Sequence, residues 1–418
     1  MLTSRDPRLA GRVAFTHPNF VLYQMARFSL VLALEMQSVA VAWQVYEITR
    51  RPLDLGLVGL AQFLPGIVLF LIAGHAADRF DRRRLLMWCY LGFGFCFGLL
   101  LMISWKAPHS VRLIYAVLVL IGSLRSFNMP ASRALLPQLV PEEHFPNAVA
   151  WNSSIFQGAT IAGPAVGGVV YALFHGPEAV YFIAILVAVA AIALNVQIKP
   201  REAVRKREPF AVSTVLTGFR YIWRQKVILG SISLDMFAVL LGGAVALLPI
   251  YAREILKTGP WGLGLLRSTP GVGAALTAIL VAYRPIHRRA GMTMIWCVAG
   301  FGVFTIIFGL SHNLVVSLLA MTFVGATDMI SVIIRATLVQ LATPDEMRGR
   351  VNAVDMLFIG VSNELGEFES GLTAQWFGTV PAVVLGGIGT LVVIGLWAWL
   401  FPALRQADRL TSAELVPQ

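Results

Sequence analysis

The chain is poor in charge. Only 13% of its 418 residues are Asp, Glu, Lys or Arg, where a soluble domain carries about 25%. It is also poor in cysteine. Cys89, Cys96 and Cys297 are the full set, and each falls inside an apolar run, where a thiol serves as a small apolar filler. No disulfide framework and no metal-ligand spacing can be drawn from them, so neither a metal nor a cofactor is expected. A G-x-x-x-x-G-K-[ST] phosphate loop is missing, which excludes an ATP-driven pump. Triad spacing and an extramembrane domain to hold one are missing too, so the chain does not read as an enzyme. The polar start, Met1 to Pro18 with Arg5, Arg8 and Arg12, lacks the layout of a cleavable signal peptide, so the first apolar segment is expected to be retained.

What is present is apolar. Hydrophobic residues make up 57% of the chain, and its mean hydropathy is +0.74. Twelve segments are long enough to cross about 30 Å of hydrocarbon. They run approximately over 19–46, 53–77, 84–104, 111–136, 146–174, 179–197, 226–254, 261–283, 292–311, 314–342, 350–377 and 381–402. The expected fold is therefore an all-α polytopic membrane protein with both termini on the cytoplasmic side. The net charge of +11 raises a nucleic-acid reading, but its distribution argues against one. With the N-terminus inside, inner segments hold about 24 of the 33 Lys and Arg, which is the positive-inside bias. Arg201, Arg205, Lys206 and Arg207 read as an orientation signal near anionic lipid. The sequon Asn152-Ser-Ser lies inside the fifth span and reads as coincidence.

Residues 198–225 separate six spans from six. Their second part is amphipathic, with Val212, Leu216, Phe219 and Trp223 at helical spacing, and predicts a short helix on the inner membrane surface. An internal repeat supports the division into 1–197, 198–225, 226–402 and a tail 403–418. Ser132-Arg-Ala-Leu-Leu-Pro-Gln138 and Asn147-Ala-Val149 in the first half match Ile334-Arg-Ala-Thr-Leu-Val-Gln340 and Asn352-Ala-Val354 in the second, at offsets of 202 to 205 residues. Two parallel repeats of this kind place a substrate site between them near the midplane.

Charges inside spans cost about 2.5–3.5 kcal/mol each at the centre, so each is expected to face a cavity or a partner. Span one has Arg27 and Glu35, about 12 Å apart along the axis, with Gln37 and Gln44 adding polarity. Span four has Arg125, span seven Asp235 and span ten Asp328. Span eleven has Asp355, Asn363, Glu364, Glu367 and Glu369, of which Glu364 and Glu367 share a face. A buried carboxyl that holds either a proton or a substrate is what a proton-coupled antiporter needs. Glu35 leads as coupling acid, followed by Glu364 and Glu367, with Asp235 and Asp328 behind them. The competing reading makes some of these acids structural partners of Arg27 or Arg125. Cavity candidates are Arg27, Gln37, Trp43, Gln62, Phe63, Arg125, Phe156, Phe237 and Asn363. In span five, Gly163 and Gly167 form a face for close helix approach, and Pro164 favours a bend.

The connection between spans two and three, with Gly74, Asp78, Arg79, Arg82 and Arg83, resembles the G-x-x-x-D-R-x-G-R-R signature of the major facilitator superfamily, with Asp81 replacing its second glycine. The resemblance implies two pseudo-symmetric six-helix bundles and a loop that gates the cytoplasmic side. Gly163-Pro164-Ala-Val-Gly167-Gly168 resembles the span-five element of exporters in this superfamily, where it packs against span eight. Thr16-His-Pro-Asn-Phe20, Leu216-Thr-Gly-Phe-Arg220 and Thr343-Pro-Asp-Glu-Met-Arg-Gly-Arg-Val-Asn352 are similar to the enterobactin-exporter branch. Arg125 is followed four positions later by Met129, a departure from the R-x-x-x-G of the superfamily's span-four antiporter element. The implied protein is a monomeric, proton-coupled exporter of a small amphiphile, such as a siderophore or drug, in the bacterial inner membrane, with protons and lipids as partners and no nucleic acid. Rivals are a lipid or lysolipid flippase, an uptake symporter and a non-transporting receptor or assembly protein.

Overall fold

A computed structural model describes residues 11–107, 109–201, 212–286 and 289–406. No strand occurs among them. The helices are α1 Pro18–Thr49, α2 Pro52–Arg79, α3 Arg82–Lys106, α4 Val111–Leu135, α5 Phe145–Phe174, α6 Pro177–Gln197, α7 Val212–Arg224, α8 Lys226–Gly242, α9 Pro260–Tyr283, α10 Ala290–Leu310, α11 Leu314–Leu341, α12 Asp345–Phe377, α13 Thr379–Leu400 and α14 Pro402–Gln406. Proline opens several of them at the first position, where its missing N–H costs nothing. Left-handed residues help make the tight joins: His175 (φ 55°) closes α5, and Gly259 (φ 79°) precedes α9. Asn313 Oδ1 caps α11 by accepting from the backbone N–H groups of Val315 and Val316 at 2.9 and 3.3 Å. Among the described residues, eleven stretches are long and apolar enough to cross a membrane. The twelfth, α12, is helical throughout but carries the acids of span eleven.

Two expectations change. Span seven is not one helix over 226–254. It breaks after Gly242, where Gly243 is extended (φ −72°, ψ 99°), and its carbonyl accepts from Ser370 Oγ. Two adjacent glycines weaken the helix and Pro249 lacks the N–H to continue it, and the chain continues through short turns to a wide turn over Tyr251–Ile255. Span eleven starts earlier than 350, at Asp345, because Pro344 supplies the helix boundary.

Packing groups the chain into two units, Met1–Gln44 with Ala61–Phe210, and Val45–Leu60 with Ala211–Gln418. The same pairings recur in each. In the first, α3 packs on α4 and α6; in the second, α10 packs on α11 and α13. The crossings are made by glycine. A Cβ on Gly122 of α4 would lie 2.0 Å from the Gln62 carbonyl oxygen of α2, and one on Gly325 of α11 would lie 1.9 Å from the Pro270 carbonyl oxygen of α9. Gln44 ties three helices of the first unit: its Nε2 donates to Ser104 Oγ at 3.0 Å, and Tyr181 donates to its Oε1 at 2.7 Å. Helix α7 packs on α8 and α12 of the second unit, with Ile222 buried and Leu216, Phe219 and Trp223 exposed. The charges Arg205, Lys206 and Arg207 lie outside the described residues.

Candidate functional site

In the first unit, α1 and α5 run in parallel along one seam. Arg27 Nη1 donates to the Asn152 carbonyl at 3.0 Å and also to Asn152 Oδ1. Its guanidinium carbon sits 5.0 Å from the Phe156 ring centre, a cation–π contact. Further along, a Cβ on Gly163 would lie 2.4 Å from Glu35 Cβ, and one on Gly167 would lie 2.7 Å from Met36 Cα. Trp43 then meets Tyr171 edge-on at 6.3 Å. Gly163, Pro164, Gly167 and Gly168 are all buried. The nearest atoms to Gly163 and Gly167 belong to α1, so these two glycines make a close crossing with span one. Small residues there let the backbones approach. Glu35 and Arg27 do not pair, being eight residues apart on one helix.

In the second unit, Arg335 of α11 is almost fully buried. Its Nη2 lies 3.3 Å from Asp235 Oδ2 of α8, and its Nη1 lies 2.5 Å from Asp355 Oδ1 of α12. Asp328 stands seven residues before Arg335, which is two turns earlier on the same helical face. The arginine thus joins three helices, and its charge is matched inside the protein. Glu364 and Glu367 of α12 converge on Gly59 of α2: a Cβ there would lie 3.2 and 2.6 Å from their Oε2 atoms. Both acids are partly buried, and Gly371 and Gly56 form the crossing beside them, a Cβ on Gly371 falling 3.0 Å from Gly56 Cα.

The remaining candidates are scattered. Gln37 is fully buried and Trp43 nearly so, so neither is open to solvent. Phe237 packs on Trp397 at 5.1 Å beside the apolar core of the second unit. Asn363 donates to the Ile359 carbonyl of its own helix at 2.9 Å. Gln62 and Phe63 are partly buried on α2, and Arg125 partly buried on α4. The connecting turn between α2 and α3 is a set of caps. Asp81 accepts from the Arg84 N–H at 2.8 Å, Arg82 donates to the Ala134 carbonyl at 3.1 Å, and Arg83 Nε donates to the Asn195 carbonyl at 3.1 Å. Gly74 and Arg79 belong to the last turns of α2; the Asp78 side chain lies outside the described residues.

Two span arginines escaped the sequence reading. Arg335 stood inside the repeat as a matching letter, though an arginine in the apolar stretch 314–342 was itself the signal. Arg267, in the second turn of α9 and partly buried, carried the same signal.

Long apolar helices in two copies of one packing scheme, with charged side chains held inside the spans, define a multi-pass membrane transporter built from a duplicated six-helix repeat. The chain belongs to the Major Facilitator Superfamily, whose sequence profile matches residues 25–367. It is 25% identical over 405 residues to the enterobactin exporter EntS of Shigella boydii serotype 4 (strain Sb227), covering 94% of each chain. It is 26% identical over 378 residues to YfiS of Bacillus subtilis (strain 168), an uncharacterized MFS-type transporter, covering 87% of this chain and 88% of that one. A solved bacterial homologue of the human lysosomal transporter Spinster superposes with a TM-score of 0.70 at 13% identity, over 93% of this chain and 98% of the other. At that identity the likeness speaks for the fold alone. The protein is a transporter of small molecules and not an enzyme.

Proposed function

We propose that this transporter exports a small amphiphilic organic molecule, of siderophore or drug type, in exchange for protons. It works as a monomer in the bacterial cytoplasmic membrane with both termini inside. Its halves, 1–197 and 226–402, joined by 198–225 and followed by the tail 403–418, alternate access to a substrate, and the loop 74–84 gates the inner side. The observation that carries proton coupling is the excess of carboxyl groups within the spans of the second unit. Asp235, Asp328 and Asp355 have one guanidinium close by, Arg335, and Glu364 and Glu367 crowd a single glycine. Carboxyl groups gathered within spans mark proton pathways in pumps and transporters. Support for export comes from the EntS relative, whose name states that activity for enterobactin.

The experiment is substrate-driven proton flux in reconstituted vesicles under an imposed pH gradient, using siderophores and cationic drugs. Glu35→Gln, Glu364→Gln, Glu367→Gln, Asp235→Asn and Asp328→Asn are run in parallel. Flux abolished in one or two of these variants identifies the coupling acids. Flux undiminished in all five removes proton coupling through these groups. Lipid scrambling without solute flux replaces export with a flippase.

A further inference from the structure

We infer that Arg27, Asn152 and Phe156 form a binding site for a carboxylate borne on a flat apolar part of the ligand. The inference rests on the proposed function only in treating that ligand as the transported substrate. The site is built wholly within the first unit.

Arg27 is the tenth residue of α1, about 14 Å from the helix start. It is only partly buried. Its open part cannot be turned to hydrocarbon without a penalty of several kcal/mol, so it faces a wet space. Among the described residues it makes no ion pair. Its hydrogen bonds all use Nη1 and go to neutral Asn152, which positions the group without cancelling its charge. That leaves the edge formed by Nε and Nη2, the fork that accepts a carboxylate with two parallel bonds. Phe156, 37% exposed, holds one face of the guanidinium and offers apolar surface beside it. Gln24, 2% exposed, donates from Nε2 to Asn152 Oδ1 at 3.3 Å, while its Oε1 is buried with no partner. A buried acceptor without a donor is a standing cost.

A purely structural arginine looks different in this same protein. Arg335 is enclosed and carries two carboxylates. Arg27 has the same cost of residence in a span and no acid to offset it, so the compensating negative charge comes from outside the chain.

The test uses purified full-length protein in lipid nanodiscs at pH 7. Affinities of 2-naphthoate, neutral 2-naphthamide and 2-naphthylmethylammonium are read by tryptophan quenching against empty nanodiscs. Naphthoate should bind at least about tenfold more tightly than naphthamide, the value of one charge-assisted hydrogen bond. That ratio should fall to about one in Arg27→Gln and be partly kept in Arg27→Lys, where the charge remains but the fork does not. Asn152→Asp is a nearly isosteric change that sets a carboxylate on Nη1, and it should also abolish the preference. Equal affinities for naphthoate and naphthamide in the wild type overturn the inference, with no variant needed. An undiminished ratio in Arg27→Gln, or in Asn152→Asp if Arg27→Gln fails to fold, also overturns it. Anion preference without any substrate-driven proton flux sinks the exporter reading alone; flux without anion preference sinks this site alone.

Discussion

The two units share a scaffold and differ in what they bury. Within its spans the first unit holds Arg27, Arg125 and Glu35; the second holds Asp235, Asp328, Asp355, Glu364, Glu367 and Glu369 against Arg267 and Arg335. In the second unit a guanidinium is locked between two carboxylates. In the first a guanidinium rests on a ring and an amide. Duplication fixed where helices cross, because crossings need glycine backbones at set places. It left the charge at each seam free to diverge, since charge is a property of the side chains that glycine does not carry. One half thus came to hold a cluster of carboxyls around a guanidinium, and the other a guanidinium held by an amide and a ring.

The largest expected effect separates the two arginines. Arg335→Leu leaves two buried carboxylates without a counter-charge and should cost about 3–5 kcal/mol, read as a large drop in thermal midpoint or a loss of folded protein. Arg27→Leu loses two hydrogen bonds made through one nitrogen and a ring contact and should cost about 1–3 kcal/mol. Equal losses would break the comparison. Replacing Arg335, Asp235 and Asp355 together by leucine should recover most of the stability, because no charge is then stranded.

The seams give a smaller contrast. Gly163→Ala drives a Cβ to 2.4 Å from Glu35 Cβ, while Gly366→Ala, against α8, meets the Leu240 carbonyl oxygen at 3.0 Å. Overpacking of the first kind costs about 1–3 kcal/mol, and the second should cost less. Thermal midpoints of the two alanine variants decide it.

The smallest effect is one of pH. In each half, the segment ahead of its first span folds back on the junction between the fourth and fifth. In the first, His17 Nε2 and His144 Nδ1 share a hydrogen bond of 2.9 Å, and Trp151 Nε1 donates to the Gly11 carbonyl at 2.9 Å. In the second, the Tyr221 hydroxyl donates to the Ala342 carbonyl at 2.7 Å. Burial, then the charges of His144 and Arg201, hold His17 below the usual histidine value, whereas burial pushes the Tyr221 phenol up. The folded clasp therefore keeps a neutral His17. Its contribution is complete above the ordinary histidine value of about 6.5 and is lost as the pH falls through the lower folded value. Hydrogen exchange over residues 11–17 should rise below that pH, while exchange in α7 should not change. Equal acceleration in both would sink the distinction.

Much of the fold was legible because hydrocarbon imposes a simple rule: long apolar runs become helices, since no other partner exists for their backbone. The repeat was legible for the same reason, as Gln138 and Gln340 close equivalent apolar runs. The break after Gly242 was not, because Gly242 and Gly243 sit inside an unbroken apolar run, and only Ser370 from a distant helix satisfies the freed carbonyl. The chemistry was half legible. Asp235 and Asp328 stood out as acids in apolar surroundings. That Asp235 faces Arg335, and that Arg27 meets Asn152 instead of Glu35, depends on helix rotation about partners a hundred residues or more away, which spacing within one helix does not encode.

The separation of 125 residues between Arg27 and Asn152 also sets a timetable. At the ribosome's pace of about 5–20 residues per second, the first helix waits roughly 6–25 s before its partner is made. For that interval an arginine sits in the membrane without the amide and ring that later hold it. The nascent protein therefore depends on shelter, from the insertion machinery or from water drawn in around the charge, and α1 settles into its place only when α5 arrives. A slowed ribosome lengthens that exposure, so the vulnerable moment in this transporter's life comes before it has transported anything.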